Sequence, residues 1–354
     1  MIENGGQGPV LGAARWVHSR NILSAFDKGG RWPYCVDVSE MNVNKAVPTA
    51  GDIEGAAGRL QGRVRTTPIL RLETGCLGID IPITLKLEYL QVTGSFKSRG
   101  ALNSILCSPN GTPVVAASGG NHGTGVAWAA AEVGVPATVF VPVTTPLMKQ
   151  ALIRHYGADL RLVDGDYLEA MKRSRQFAAR EGAVHVDAND ATDTVAGQAT
   201  IGLELISQIP EGEPVVVGCG GGGLYAGVAL AMDGRNAVVP AEPEGACGLA
   251  AALHAGQLVD VELRGVALDS LGVRRAGEIA FQIAKDRETR VLLVSDVNIM
   301  ATQQLLWDRL HIAAELGAVV GLSAVLREPE RFRDGVTVII SGANADFGAL
   351  VSRS

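Results

Sequence analysis

The sequence predicts an α/β fold of one or two domains, with mostly parallel, twisted sheets flanked by helices. The candidate strands are short, unbroken apolar runs, which suit sheets covered on both faces. Helix-like segments lie between successive strands, as parallel pairing requires. Hydrophobic residues make up 47% of the chain and there are 44 glycines, so the composition suits a compact protein with a large core.

The elements alternate from about residue 52 onward. A helix is expected at 51–57, with Asp52 as its N-cap. The predicted strands are 83–88, 113–117, 137–141, 159–163, 214–217, 237–239 and 336–340. Helical runs are expected at 101–106, 126–133 and 147–156. Because ligands of parallel sheets bind at the carboxyl ends of strands, the loops that follow these strands are the first places to look for chemistry.

Composition argues against several classes of protein. The net charge is −6 and no basic cluster is present, so a nucleic-acid partner is not expected. The five cysteines show no CxxC spacing, which argues against a disulfide framework or a structural zinc site and favours the cytoplasm. No apolar run reaches ~18 residues, so no membrane span is expected. Residues 1–40 lack clear periodicity and are interpreted as an extension, with a mis-assigned start before Met41 as an alternative.

Lys97 is the first candidate for chemistry. It lies where a strand-like run gives way to a helix-like run, within the segment 93–101. The positive end of a helix dipole disfavours an ammonium there and favours the free amine. A neutral amine can attack a carbonyl and form a Schiff base. The ordinary alternative is a solvated lysine at a helix start.

Two glycine-rich loops follow predicted strands. The loop 117–123 could direct backbone N–H groups at one oxyanion, although an ordinary turn has a similar composition. The loop 217–227 contains four consecutive glycines, Gly220–Gly223, which allow close approach to a phosphate. The same loop satisfies the dinucleotide pattern GxGxxG, with Glu242 about twenty residues on, so a nicotinamide site is a serious alternative.

These segments resemble the fold-type II pyridoxal phosphate (PLP) enzymes, which share the tryptophan synthase β-like fold and include threonine and serine dehydratases, serine racemases, threonine synthases and cysteine synthases. The resemblance spans roughly residues 50–350 and rests on the motifs 94–101, 118–122, 196–204, 220–224 and 341–346. The implied organisation is an N-terminal extension at 1–45, a large PLP-binding domain at 46–105 and 191–354, and a small domain at 106–190.

The resemblance also implies roles for individual residues. Lys97, beside Phe96, would bind PLP as a Schiff base and act as the catalytic residue. Asn121 would contact the phenolic oxygen of PLP, and Ser341 the ring nitrogen. The phosphate would lie against the backbone of Gly220, Gly221, Gly222, Gly223 and Leu224. The substrate carboxylate would bind at Ser118, Gly119, Gly120, Asn121 and His122, with a structural role favoured for the His122 ring.

Several positions favour one branch of the family. A neutral hydroxyl at Ser341 suits elimination over transamination. Gly119 stands where serine racemases carry a serine, and glycine cannot transfer a proton, so a dehydratase is favoured. Glu315 is matched to a family glutamate, although the proline that usually follows is missing. The cation-binding pattern needs an acid where Gly248 stands, so no metal is expected. The chain ends eight residues after Asp346, so no regulatory domain is expected to follow.

The sequence therefore predicts a cytoplasmic, homodimeric PLP-dependent ammonia-lyase. It would convert a small amino acid, L-threonine or L-serine, to a 2-oxo acid and ammonia by α,β-elimination. Other PLP activities remain open: a racemase, a threonine synthase, or a dehydratase of an unusual hydroxy amino acid. A nicotinamide oxidoreductase and a non-catalytic PLP-binding sensor are the more distant alternatives.

Overall fold

A computed structural model describes residues 45–345 and residue 348. Ten strands lie within this part of the chain: β1 (Ile69–Leu72), β2 (Ile83–Lys86), β3 (Val114–Ala117), β4 (Ala137–Pro142), β5 (Asp159–Val163), β6 (Val184–His185), β7 (Val215–Gly218), β8 (Val238–Pro243), β9 (Leu292–Val294) and β10 (Val336–Ile339).

Twelve α-helices separate these strands within the described residues. They are α1 (Ala50–Leu60), α2 (Lys97–Cys107), α3 (Asn121–Val133), α4 (Leu147–His155), α5 (Tyr167–Glu181), α6 (Thr192–Gln208), α7 (Gly223–Ala231), α8 (Gly248–Ala255), α9 (Leu268–Leu271), α10 (Glu278–Asp286), α11 (Asp296–Leu310) and α12 (Val320–Arg327).

The strands form two sheets. The larger has the order β1-β2-β10-β7-β8-β9 and the smaller the order β5-β4-β3-β6. The β1–β2 pair is antiparallel and the other pairs are parallel. All four residues of β2, β3, β7 and β10 are buried, as expected for central strands covered by helices on both faces. The predicted α/β class with mostly parallel sheets is confirmed.

The core has separate layers on the two faces of the larger sheet. On one face, Leu85, Val216 and Val338 pack against α12 residues that include Leu322. On the other face, Val215 and Val217 pack against helices α6 and α7. Side chains alternate between the faces because successive residues of a strand point in opposite directions. This double cover holds the carboxyl edge of the sheet in place.

Several element boundaries differ from the prediction. The N-cap of α1 is Thr49 rather than Asp52: the Thr49 hydroxyl accepts from the Asp52 N–H at 3.2 Å, and the Asp52 carboxylate accepts from the Thr49 N–H at 2.8 Å. This reciprocal pair is a capping box, in which the acidic residue stands at the third helical position.

Other differences also concern element ends. Helices α2 and α3 begin earlier than expected, because the first-turn N–H groups need no intrahelical acceptor and polar loop residues can occupy those positions. Strand β8 continues to Pro243, whereas β2 ends at Lys86 and a 3₁₀ turn follows at Glu88–Leu90. Residues 1–40, which the sequence suggests are an extension, and Asp346 lie outside the described residues. The predicted domain boundaries remain a prediction.

Candidate active site

The predicted site residues gather at the carboxyl edges of three strands. The loop 118–120 follows β3, the glycine loop 219–222 follows β7, and the loop 341–345 follows β10. The segment before Lys97 pairs with the last of these loops: the Phe96 N–H donates to the Ser341 carbonyl at 3.1 Å, and the Ala343 N–H donates to the Gly94 carbonyl at 2.9 Å. Lys97 is thereby attached to the loop that carries Ser341.

Lys97 is the first residue of α2, and its amine lies within the protein. Its Nζ donates to the Ala188 carbonyl at 2.6 Å, and the Phe96 ring centroid lies 5.1 Å from the same atom. Burial lowers the pKa of Lys97 to about 8, and the nearby Asp187 carboxylate acts in the opposite direction. The pKa is therefore shifted in the expected direction, and desolvation of the buried amine is its main cause.

The glycine loop offers backbone N–H groups at the start of α7. The first hydrogen bond of that helix joins the Ala226 N–H to the Gly222 carbonyl, so the preceding three N–H groups have no role inside the helix. Gly222 has a left-handed φ of 89°. A Cβ at Gly221 would lie 2.2 Å from the Asn189 Nδ2, and one at Gly222 would lie 2.3 Å from the Ala280 Cβ. The loop backbone at Gly221 and Gly222 therefore has no room for a side chain. The N–H groups of this loop suit a phosphate.

Asn121 lies at the centre of a hydrogen-bond network. Its Nδ2 is 2.9 Å from both carboxylate oxygens of Glu315, and its Oδ1 accepts from the Asn344 Nδ2 at 2.8 Å. The Asn344 N–H also donates to Glu315 at 2.7 Å. Burial raises the pKa of Glu315, whereas the bond from Asn121 opposes that rise. The network fixes the orientation of the Asn121 amide.

The loop before Asn121 is tightly packed. The Gly120 N–H donates to the Ser118 hydroxyl at 3.2 Å. A Cβ at Gly119 would lie 2.6 Å from the Thr145 Cγ2, so a larger residue at Gly119 requires Thr145 to move.

His122 is 5% exposed, and its Nε2 lies 2.9 Å from the Val186 carbonyl. Burial, together with the charge on Lys97, lowers the pKa of His122 to about 4, so the ring is neutral near pH 7. The neutral ring donates its N–H to the Val186 carbonyl, which fixes its position. A role of His122 in substrate binding remains a prediction.

A turn at 187–190 was missed in the sequence. The Asp187 Oδ1 accepts from the N–H groups of Asn189 at 2.9 Å and Asp190 at 2.7 Å. The Ala188 carbonyl accepts the hydrogen bond from the Lys97 Nζ, and the Asn189 Nδ2 donates to the Gly221 carbonyl at 3.3 Å. The Asp-x-Asn-Asp pattern is typical of such a turn, but no local signal shows which lysine and which glycine loop it joins.

Glu242 does not form the beginning of a metal site. It is fully buried, and its carboxylate accepts from the N–H groups of Leu249 and Ala250, both at 2.9 Å. Burial raises the pKa of Glu242 to about 8. Its carboxylate therefore caps the start of α8. Gly248 supplies no ligand, so these residues do not fit a cation. Within 45–345, no three His, Cys, Asp or Glu side chains cluster as metal ligands.

The chain belongs to the pyridoxal-phosphate dependent enzyme family, whose model matches residues 60–342. It is 35% identical over 301 residues to an L-threonine ammonia-lyase of Geobacter sulfurreducens, covering 83% of this chain and 75% of the relative. Maize serine racemase superposes with a TM-score of 0.81 at 29% identity, covering 87% of this chain and 97% of the other. A threonine deaminase from T.th. gives a TM-score of 0.79 at 33% identity, covering 85% of this chain and 100% of the other.

The cofactor is therefore PLP, and the donors at the site fit it. An amine of lowered pKa suits its aldehyde, and the N–H groups at the start of α7 suit its phosphate. The GxGxxG pattern thus belongs to a PLP enzyme, and the nicotinamide alternative was wrong. Among the described residues, no helix is long and apolar enough to cross a membrane.

The lowered pKa of Lys97 predicts how quickly the protein freed of PLP recaptures it. Only the free amine reacts, so the capture rate should rise by about tenfold per pH unit at low pH and level off near pH 8. An ordinary lysine would continue to gain rate up to about pH 10.4. Stopped-flow absorbance of PLP binding across pH 6 to 10.5 measures the midpoint.

The matched variant is Asp187→Asn, which keeps an oxygen acceptor for the turn but removes the charge that raises the pKa of Lys97. Its midpoint should fall below that of the unmodified protein. A wild-type midpoint near the ordinary value for lysine would contradict the assignment of this buried amine as the reacting group.

Proposed function

We propose that this protein is an ammonia-lyase that converts L-threonine, L-serine or both to a 2-oxo acid and ammonia. The observation that carries this proposal is the Lys97 amine, whose pKa is lowered by burial and which is joined through the 187–190 turn to the glycine loop. The names of the related proteins support the substrate class: an L-threonine ammonia-lyase and a threonine deaminase are among them.

Each end of PLP has a proposed partner. Lys97 would bind the aldehyde carbon, with Phe96 beside it. The N–H groups of Gly220–Gly223 and Leu224 would hold the phosphate. The Asn121 amide, oriented by Glu315 and Asn344, would contact the phenolic oxygen, and Ser341 the ring nitrogen. When bound, PLP withdraws electrons from the amino-acid Cα, which makes the Cα proton acidic.

The substrate carboxylate is assigned to the loop of Ser118, Gly119, Gly120 and Asn121, with His122 behind it. This loop begins α3, where N–H groups favour an anion. The Lys97 amine would be the base that takes the Cα proton. Gly119 offers no group that could return a proton from the opposite face, so loss of the β-hydroxyl is favoured over racemisation.

Racemisation is the second candidate, because maize serine racemase is among the most similar solved structures. The test is an assay of the purified holoenzyme against L-threonine, L-serine and a panel of other hydroxy amino acids. We expect stoichiometric 2-oxo acid and ammonia with L-threonine or L-serine. Chiral chromatography of the remaining amino acid measures racemisation. Formation of D-serine faster than pyruvate would overturn the proposal in favour of the racemase.

The assembly and setting of the enzyme are also proposals. We infer a cytoplasmic homodimer that acts on a small amino acid and binds no nucleic acid, with a large domain at 46–105 and 191–354 and a small domain at 106–190. The net charge of −6 supports the absence of a nucleic-acid partner. The strands of the smaller sheet fall within 114–185, in agreement with the proposed small domain.

A further inference from the structure

A cavity of about 630 Å³ lies at the amino edge of the larger sheet. Its wall includes Pro214 before β7, Val238 at the start of β8, Leu292 at the start of β9 and Phe332 before β10. These strands run parallel, and their other ends carry the glycine loop and Ser341. The cavity is therefore on the edge opposite the candidate active site, and no residue assigned to PLP or substrate lines it.

Four arginines line this cavity: Arg235, Arg287, Arg290 and Arg331. Three carboxylates pair with them. Arg287 lies 2.9 Å from Asp233, Arg235 lies 3.2 Å from Glu211, and Arg331 pairs with Glu328. Arg290 approaches the same Glu328 only at 4.0 Å, and its side chain is 66% exposed. These ion pairs leave one positive charge in excess, centred on Arg290 and Arg331, which share a single carboxylate.

Two buried polar atoms of the wall have no hydrogen-bond partner among the described residues. They are the Nε of Arg235 and the Oδ1 of Asn236. Asn236 is 7% exposed, and its Nδ2 already donates to the carbonyls of Pro210 and Glu213, both at 2.8 Å. A buried polar atom without a partner costs stability. Both atoms are enclosed within the wall rather than exposed to the cavity, so they are not available as ligand contacts.

We propose that this cavity binds a small organic acid, separate from the substrate of the proposed lyase. Its carboxylate contacts Arg290 and Arg331, because a guanidinium fork matches a planar carboxylate and one excess charge matches a monoanion. Its apolar body packs on Val239, Leu292 and Phe332. The volume is typical of sites for small molecules.

The test is calorimetric titration of the PLP-loaded enzyme with 2-hydroxyisocaproate, which has a carboxylate and a branched apolar body. The neutral methyl ester and inorganic phosphate are titrated in parallel. We expect saturable binding of one acid per chain and no binding of the ester. The double variant Arg290→Gln/Arg331→Gln should bind the acid at least about tenfold more weakly, because it loses the charge-assisted bonds.

The matched control is Arg173→Gln, which removes an exposed, ion-paired arginine from α5 beside the smaller sheet. It should bind as the unmodified enzyme does. If the double variant does not fold, Arg290→Gln alone replaces it, since that side chain is mostly exposed. No saturable binding, or equal binding by the double variant, overturns the site. Tighter binding of phosphate that depends on the same arginines overturns the carboxylate assignment.

Discussion

Replacing Lys97 by alanine is expected to abolish lyase activity, by at least about 10⁴-fold, and to remove the visible absorbance of covalently held PLP. The amine is both the proposed attachment point of the cofactor and the proposed acceptor of the Cα proton, so both functions should be lost together. Its pKa of about 8 suits both tasks, since an amine near neutrality can attack a carbonyl and also hold a proton. Steady-state ammonia release and an absorbance spectrum measure the two effects.

The matched control is Lys172→Ala, which removes a lysine that is 66% exposed on α5. It should keep both the spectrum and the turnover. Circular dichroism of Lys97→Ala distinguishes lost chemistry from lost folding. An unchanged visible band in folded Lys97→Ala protein would show that another residue holds PLP, and the proposed roles around this lysine would then be wrong.

Replacing Arg99 by methionine is expected to destabilise the fold by about 3–5 kcal/mol, because it leaves a buried carboxylate without its partner. Arg99 is 1% exposed and Glu88 is fully buried. The Arg99 guanidinium donates to Glu88 at 2.8 and 3.0 Å, and it lies 2.7 Å from Glu204. Lys86 completes the group at 2.6 Å from Glu204. Burial would lower the pKa of Arg99, but Glu88 and Glu204 raise it above its usual range.

Urea unfolding of the holoenzyme, monitored by circular dichroism, measures this loss. The double variant Arg99→Met/Glu88→Leu should recover part of the stability, because removing both charges avoids the cost of one unpaired charge. Arg161→Met, which breaks an exposed pair with Asp159, should change stability by less than about 1 kcal/mol. If Arg99→Met also lowers the stability by less than about 1 kcal/mol, water reaches Glu88 and the network is not buried.

This network also connects the helix turn that carries Lys97 to the rest of the protein. Arg99 follows Lys97 by two residues in α2, and its carboxylate partners come from the 3₁₀ turn at Glu88–Leu90 and from α6. Lys86 of β2 joins the network through Glu204. The first turn of α2 is therefore bound to elements from distant parts of the chain. The sequence motif 94–101 includes Arg99, but its partners were not recognised from the sequence.

The fold class, Lys97 and the glycine loop could be predicted because their signals are local. Unbroken apolar runs specify strands, and glycines between a strand and a helix specify a loop that approaches a phosphate closely. The same local character explains the boundary errors: a cap such as Thr49 depends on which N–H groups are left unpaired at a helix end, which composition alone does not show.

Contacts between distant residues could not be predicted in this way. Asn121 and Glu315 lie 194 positions apart, and Lys97 and Ala188 lie 91 apart. A single sequence has no period or spacing that pairs such residues. Glu315 was matched to a family glutamate only by resemblance. Its hydrogen bonds to Asn121 depend on the tertiary structure, in which the Glu315 N–H also donates to the Gly342 carbonyl after β10.

The amino-acid sequence was thus sufficient for the α/β class and for the strand-to-loop positions of the glycines, and it predicts Lys97 as the reactive amine. Only the tertiary structure gives the environment of that amine. Burial lowers its pKa, and the 187–190 turn connects it to the glycine loop. The arginine-lined cavity likewise exists only where the amino ends of β7, β8 and β9 meet. The reason is physical: strand and turn propensities act over a few residues, whereas desolvation and charge pairing depend on groups that only packing brings together.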